Sequence, residues 1–354
     1  MRKLLFLLWI ICFSAIGCGD EVDIGLVAGQ MQALTAESAI QTTIPEDVLA
    51  AMKLQAERMD EQVKTILEFD PNEVGFAANA TAEQIRNTIA SRLNLKDELI
   101  EKGYETMDFH ALQKAFYTKY IDAGGIAIVA NEKVEDVFLY AARDAILIMT
   151  SKHPELRDRL LSKHGRFYMV LVLEKDDLYS IPELQLNTAV IYSDEYYIWW
   201  AGACNLNTGN NTGDTITGFC FATTFHGHAF SGTPCPVIST FVHEFAHVLE
   251  WEIEHHQPGF RERLQEVYDQ MNFTEEQRAN YHMASAPHEY FAKGTEWWFR
   301  GGSWREKLIE EHPMLAELMT EWYPSVECIQ DMEPGNPSGF IYNSVSWETI
   351  EKIK

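Results

Sequence analysis

VISTFVHEFAHVLE, residues 237–250, decides the reading of this chain. Its apolar residues recur at helical spacing, so the stretch reads as an amphipathic helix. His243 and His247 stand four apart and therefore project from one side of that helix, within a turn of each other. Two neutral imidazoles in that geometry can share one zinc ion. Glu244 lies on an adjacent face, where its carboxylate can reach a water on the metal without competing strongly for the metal, which is the position of a general base. A pair of surface histidines beside an unrelated acid is the plainer alternative, and the apolar helical context disfavours it.

A third ligand has to come from elsewhere. The continuation HExxHxxGxxH is not met, because Glu250 stands at the glycine position and Ile253 at that of the last histidine. His255 and His256 lie about 12 Å further along the helix axis and are expected to face solvent or, at most, to support a ligand from behind. Glu289, in PHEYFAKGTEWWF (287–299), is the better donor: one carboxylate oxygen from a second predicted helix completes a two-histidine, one-glutamate set and leaves a position for water. Glu296 falls on nearly the same face as Glu289 and can accept the free N–H of a ligand histidine. His226 and His228, in FHGHAF, are left out of the expected site.

The pair HEFAH (243–247) and EYFAKGTEWWF (289–299) resembles the gluzincin-type metallopeptidases whose second motif reads E-[FY]-[FW]-A followed by an acid. That group includes the anthrax lethal-factor-like peptidases and the Mlc titration factor peptidases. The resemblance covers about residues 236–300 and extends more loosely to YIDAGGIAIVANEKVEDVFLYAARDAILIM, which is similar to a segment of related exported proteins. It implies a zincin fold, Zn2+ as cofactor, hydrolysis of peptide bonds in a peptide or protein substrate, and Glu289 as the zinc carboxylate. Two positions depart from the pattern. Lys293 stands where lethal-factor-like sequences carry an acid, so the histidine-orienting role passes to Glu296 or goes unfilled. His282 stands where the family places an oxyanion-stabilising tyrosine, with Tyr281 one residue earlier; either can donate a hydrogen bond to the developing charge.

The N-terminus, MRKLLFLLWIICFSAIGCGD, has two positive charges, a short apolar run and small residues before a cysteine, the layout of a secretory signal. Ala15, Ile16, Gly17 and Cys18 resemble the lipobox of bacterial lipoproteins, which implies cleavage before Cys18, a lipid on that residue and attachment to a membrane of the cell envelope. An ordinary secreted protein is the alternative. No later segment offers the roughly 18 apolar residues of a membrane helix.

The chain carries 28 basic and 53 acidic residues; losing Arg2 and Lys3 with residues 1–17 leaves 26 against 53, a net charge of −27. Such a field repels nucleic acid, which is excluded as a partner. Beyond Cys18 four cysteines remain, Cys204, Cys220, Cys235 and Cys328, an even number that favours two disulfides in an exported chain. Three pairings are open. The turn-rich NLNTGNNTGDTITGF between Cys204 and Cys220 favours joining those two and leaves Cys235 for Cys328.

These signals divide the chain into a signal peptide (1–17), a lipid-anchored tether (18–44), a largely helical N-terminal region (45–165) and a zincin-like catalytic domain (166–354). IPEDVLAAMKLQAERMDEQVKTILEF, TAEQIRNTIASRL and MDFHALQKAFYTKYID read as helices, whereas GGIAIVAN and RFYMVLVLEK read as short strands bracketing two helices. AVIYSDEYYIWWAGA and DTITGFCFATTF supply further strands, and four helical stretches follow from residue 237 onward. The expected class is α+β, with a small mixed sheet and active-site helices. Two other functions suit the same residues: a non-catalytic envelope lipoprotein that binds a partner on a zincin scaffold, and a zinc amidase acting on cell-wall peptides. No serine-nucleophile elbow or glycine-rich phosphate loop is present in the sequence.

Overall fold

A two-glycine turn closes the first hairpin of the sheet. The computed structural model describes residues 40–72, 75, 80–162, 167–173, 180–186, 202–207, 217–223 and 236–324. Within them Gly124 and Gly125 hold φ values of 64° and 92°, left-handed backbone that glycine adopts without a Cβ clash. Two such residues in succession suit a tight hairpin, and they join β1 (Lys119–Ala123) to β2 (Ile126–Ala130) antiparallel, with Ala123 opposite Ile126. Asp122 accepts the Gly125 N–H at 2.9 Å and fixes the turn. MDFHALQKAFYTKYID is thus not one helix: its helix, α3 (Phe109–Phe116), stops and the chain becomes β1, because the hairpin gives the next residues a strand partner.

From β2 the chain crosses through α4 (Asp136–Met149) and α5 (Pro154–Ser162) to β3 (Phe167–Val172), which pairs parallel to β2 as a two-helix crossover allows. Two further strands, β4 (Gly202–Asn207) and β5 (Thr217–Thr223), complete a five-stranded mixed sheet of order β1-β2-β3-β5-β4. β5 runs parallel to β3, and β4 lies antiparallel to β5 at the sheet edge. The described protein is of the expected α+β class, mostly helical with this small mixed sheet. The sheet takes β1 and β2 from residues 45–165 and β3 to β5 from residues 166–354, so backbone hydrogen bonds join the two segments.

Alternation along the strands sends side chains to opposite faces. Ile121, Ile128, Met169 and Cys220 point into the larger core, shared with α4, α5 and the C-terminal helices. Tyr120, Val129, Tyr168, Val170, Phe219 and Phe221 face the other way, against α1 (Glu46–Leu67). On that second face Glu183 is buried and satisfied by three donors: Gln113 Nε2 at 2.8 Å, Tyr117 Oη at 2.5 Å and Tyr168 Oη at 2.6 Å. α2 (Ala82–Glu101) opens on a capping box formed by Thr81 and Gln84.

Helix α6 (Pro236–His256) lies on β4 and β5 and buries Phe241, Phe245, Val248 and Leu249 in the larger core. Past α7 (Phe260–Gln270), α8 (Glu275–Asn280) and the four-residue α9 (His282–Ser285), α10 (Pro287–Arg300) packs along α6. WREKLIEEHPMLAELMTEWY forms two helices, α11 (Gly302–Glu311) and α12 (Pro313–Trp322), because Pro313 bars helical backbone at the residue before it. Cys204 and Cys220 face each other across β4 and β5 and form the expected disulfide. Cys18, Cys235, Cys328, His226 and His228 lie outside the described residues. Among the described residues no helix is long and apolar enough to cross a membrane.

Candidate metal centre

Packing α10 along α6 brings the two motifs together around one carboxylate oxygen. Glu289 Oε2 lies 3.0 Å from His243 Nε2, 3.2 Å from His282 Nε2 and 3.6 Å from His247 Nε2. The donor atoms of His243, His282 and Glu289 all fall within 4.8 Å of one another, a cluster able to hold a metal ion. His247 stands just beside that trio, its ring centroid 5.0 Å from that of His243. The donor set suits a divalent metal. Bonds of about 2.0–2.1 Å in a tetrahedron separate neighbouring donors by about 3.3 Å, close to the observed nitrogen–oxygen spacings.

The other side of His243 faces Glu296, whose Oε2 is 3.9 Å from Nδ1, an ion-pair distance and not a hydrogen bond. Glu296 is itself held by Lys293 Nζ at 2.6 Å and by Arg300 Nη1 at 3.1 Å. Lys293, a departure from the resembled pattern, therefore works with Glu296. Both cations sit at helical spacing from Glu296, three residues before and four after, so that spacing was the available signal for the pair.

Charge follows the packing. Burial lowers the pKa of His243 and keeps the imidazole neutral, the form that ligates a metal. Burial opposes charge on His247 too, but the neighbouring carboxylates of Glu289 and Glu244 outweigh it and raise its pKa. Glu289 is held far below the usual carboxylate range because its contacts with His243 and His247 overcome burial. Burial pushes Glu244 up to about 8, with Glu289 adding to the rise and His247 opposing it. Glu296 is lowered despite burial, by Lys293 first and by His243 and Arg300.

Glu244 is positioned from the sheet. Glycine at 202, on edge strand β4, leaves room for it: a β-carbon there would lie 2.7 Å from Glu244 Cγ and Oε1 and from Thr240 Cγ2. Cys204 Sγ touches the Glu244 carbonyl oxygen at 3.1 Å, so the disulfide abuts the same turn of α6. No local signal in the sequence marks Gly202 for this role.

The neighbouring residues make other contacts. Tyr281 is 64% exposed and caps α9 with its backbone. His256 lies 3.7 Å from Glu155 with its ring against Trp322. Glu250, at the unmet glycine position, is buried and paired with Arg261 at 2.9 Å. His288, which the sequence did not single out, stands 3.6 Å from Glu289 Oε1, the oxygen turned away from the cluster.

No family model, curated protein or solved structure matches the chain.

Proposed function

We propose that this chain is a zinc-dependent peptidase of zincin type, acting on peptide or protein substrates at the cell envelope. The observation that carries the reading is the convergence of His243 and His247, from one helix, with Glu289, from another, beside a buried carboxylate, Glu244, that none of them uses as a partner within hydrogen-bond distance. His243, His247 and Glu289 would hold the ion. When bound, zinc supplies Lewis acidity, lowering the pKa of water and polarising a carbonyl.

The remaining work falls to the protein's own groups. Glu244 takes the proton of the attacking water at its carboxylate and delivers it to the leaving amine, so the peptide bond is exchanged for a carboxylate and an amine. Its burial removes competing solvent, and Gly202 leaves its carboxylate in place against β4. His282, 3.2 Å from Glu289 Oε2, is the nearer side chain able to donate a hydrogen bond to the oxyanion, with the exposed Tyr281 one residue earlier as the alternative. Glu296 orients His243 from behind.

Metal content and peptide cleavage measured together test this reading. The purified protein is expected to hold about one zinc and to cut members of a broad peptide library. Glu289→Ala should lose both properties. A parent protein that takes up no zinc contradicts the site; one that binds zinc yet cuts no peptide in the library favours a binding protein instead.

A further inference from the structure

We infer that His282 is a fourth protein donor to the same metal, a cap that fills the position left open by His243, His247 and Glu289 and must swing aside before a substrate carbonyl enters. The inference rests on the metal-centre reading above and deepens it.

Three observations carry it. The Nε2 of His282 is 3.2 Å from the same Glu289 oxygen that His243 meets at 3.0 Å, and its donor atom belongs to the cluster that can share one ion. His282 also stacks on the His243 ring, centroids 5.2 Å apart and planes 26° from parallel, so the two imidazoles stand side by side over Glu289. His288 is the internal contrast: it too neighbours Glu289, but through the other carboxylate oxygen, at 3.6 Å.

The third observation concerns anchoring. α6 and α10 are long, packed helices, so their donors are fixed. His282 instead opens a four-residue helix that docks through its neighbours: Met283 and Ala284 are buried, and Tyr268 Oη donates to the Ala284 carbonyl at 2.5 Å. The His282 side chain itself is 64% exposed. It can rotate away without disturbing that packing.

The chemistry distinguishes the resting protein from an always-open site. Four protein donors close a tetrahedral zinc, whereas catalysis requires an exchangeable position. Imidazole belongs to the ordinary ligand set of zinc, so His282 has the chemistry to enter that fourth position. A free protein with His282 on the metal is closed; departure of that one exposed ring opens it while the three fixed donors keep the ion.

The test uses the full chain as parent, His282→Ala and His247→Ala, loaded with zinc or with cobalt(II). Zinc affinity is read by competition with a chromogenic chelator, coordination by the visible spectrum of the cobalt form, and access to the metal by titration with acetohydroxamate. His282→Ala is expected to keep its melting temperature, to bind zinc about 10–100-fold more weakly and to show an altered cobalt spectrum. It should also bind acetohydroxamate about tenfold more tightly, as expected if the cap is closed about 90% of the time in the parent. His247→Ala, losing a fixed donor, should bind zinc more weakly still.

If His282 only donates a hydrogen bond, its removal leaves zinc affinity and the cobalt spectrum unchanged and weakens acetohydroxamate, which overturns the cap while the three-donor metal centre stands. A parent that binds no zinc overturns both.

Discussion

Gly202 and Glu244 are locked face to face: the glycine of the edge strand approaches so closely that an added β-carbon would stand 2.7 Å from the carboxylate's own Cγ and Oε1. The sheet edge therefore sets where the proposed base can sit.

Gly202→Ala should accordingly displace Glu244 without touching a metal donor. Zinc content is expected to stay at the parent level while kcat falls at least about a hundredfold, the lower range of general-base contributions. Steady-state kinetics on protein of measured zinc content checks this, and an unchanged kcat would show that Glu244 tolerates displacement or has no part in the chemistry.

Glu296→Gln removes the negative charge facing His243 Nδ1 and weakens the hold on Lys293 and Arg300. Zinc affinity should drop about 10–100-fold, as for the loss of other groups that orient metal-bound histidines. Competition with a chelator measures it; an affinity within twofold of the parent would mean that His243 is oriented by packing alone.

Gly294 lies inside α10, where alanine would ordinarily stabilise a helix by about 1 kcal/mol. Here a β-carbon would come 2.5 Å from Leu315 Cδ2 and 3.0 Å from its Cγ, and Leu315 is fully buried. Overpacking costs of about 1–3 kcal/mol should reverse the sign, so Gly294→Ala is expected to lower stability in chemical denaturation. A more stable variant would contradict the close contact of α10 with α12.

Glu183 gives a pH dependence far from the metal. Burial raises its pKa, more than hydrogen bonds from Tyr117, Tyr168 and Gln113 lower it. The folded protein thus binds this proton more tightly than the unfolded chain, where the carboxyl titrates near about 4.3. Its contribution to stability is fully present below that unfolded value and is lost as pH rises through the raised folded value. Relative to Glu183→Gln, which cannot ionise, the parent should lose stability with rising pH across that window. Parallel denaturation midpoints for the two proteins over the same range would contradict the shift.

Much of this architecture was legible residue by residue. Periodicity marks α6 and α10, and the apolar runs mark β2 and β3, because each element buries a continuous face that its own sequence must encode. β1 escaped notice: Lys119–Ala123 carries a strand only because the two glycines after it fold Ile126–Ala130 back as a partner. The approach of His243, His247 and Glu289 follows from helical spacing and a resembled motif, whereas the position of His282 over the same oxygen depends on how α7 anchors a four-residue helix. Gly202 against Glu244 is a contact between distant segments, and nothing near either residue announces it.

The most direct test of the central claim is the cleavage rate of Glu244→Gln at full zinc loading, against the parent on the same peptide. The account predicts unchanged zinc stoichiometry with a rate lowered about 10²–10⁴-fold, the contribution of a general base. A zinc-loaded Glu244→Gln protein that cleaves at the parent rate would contradict it.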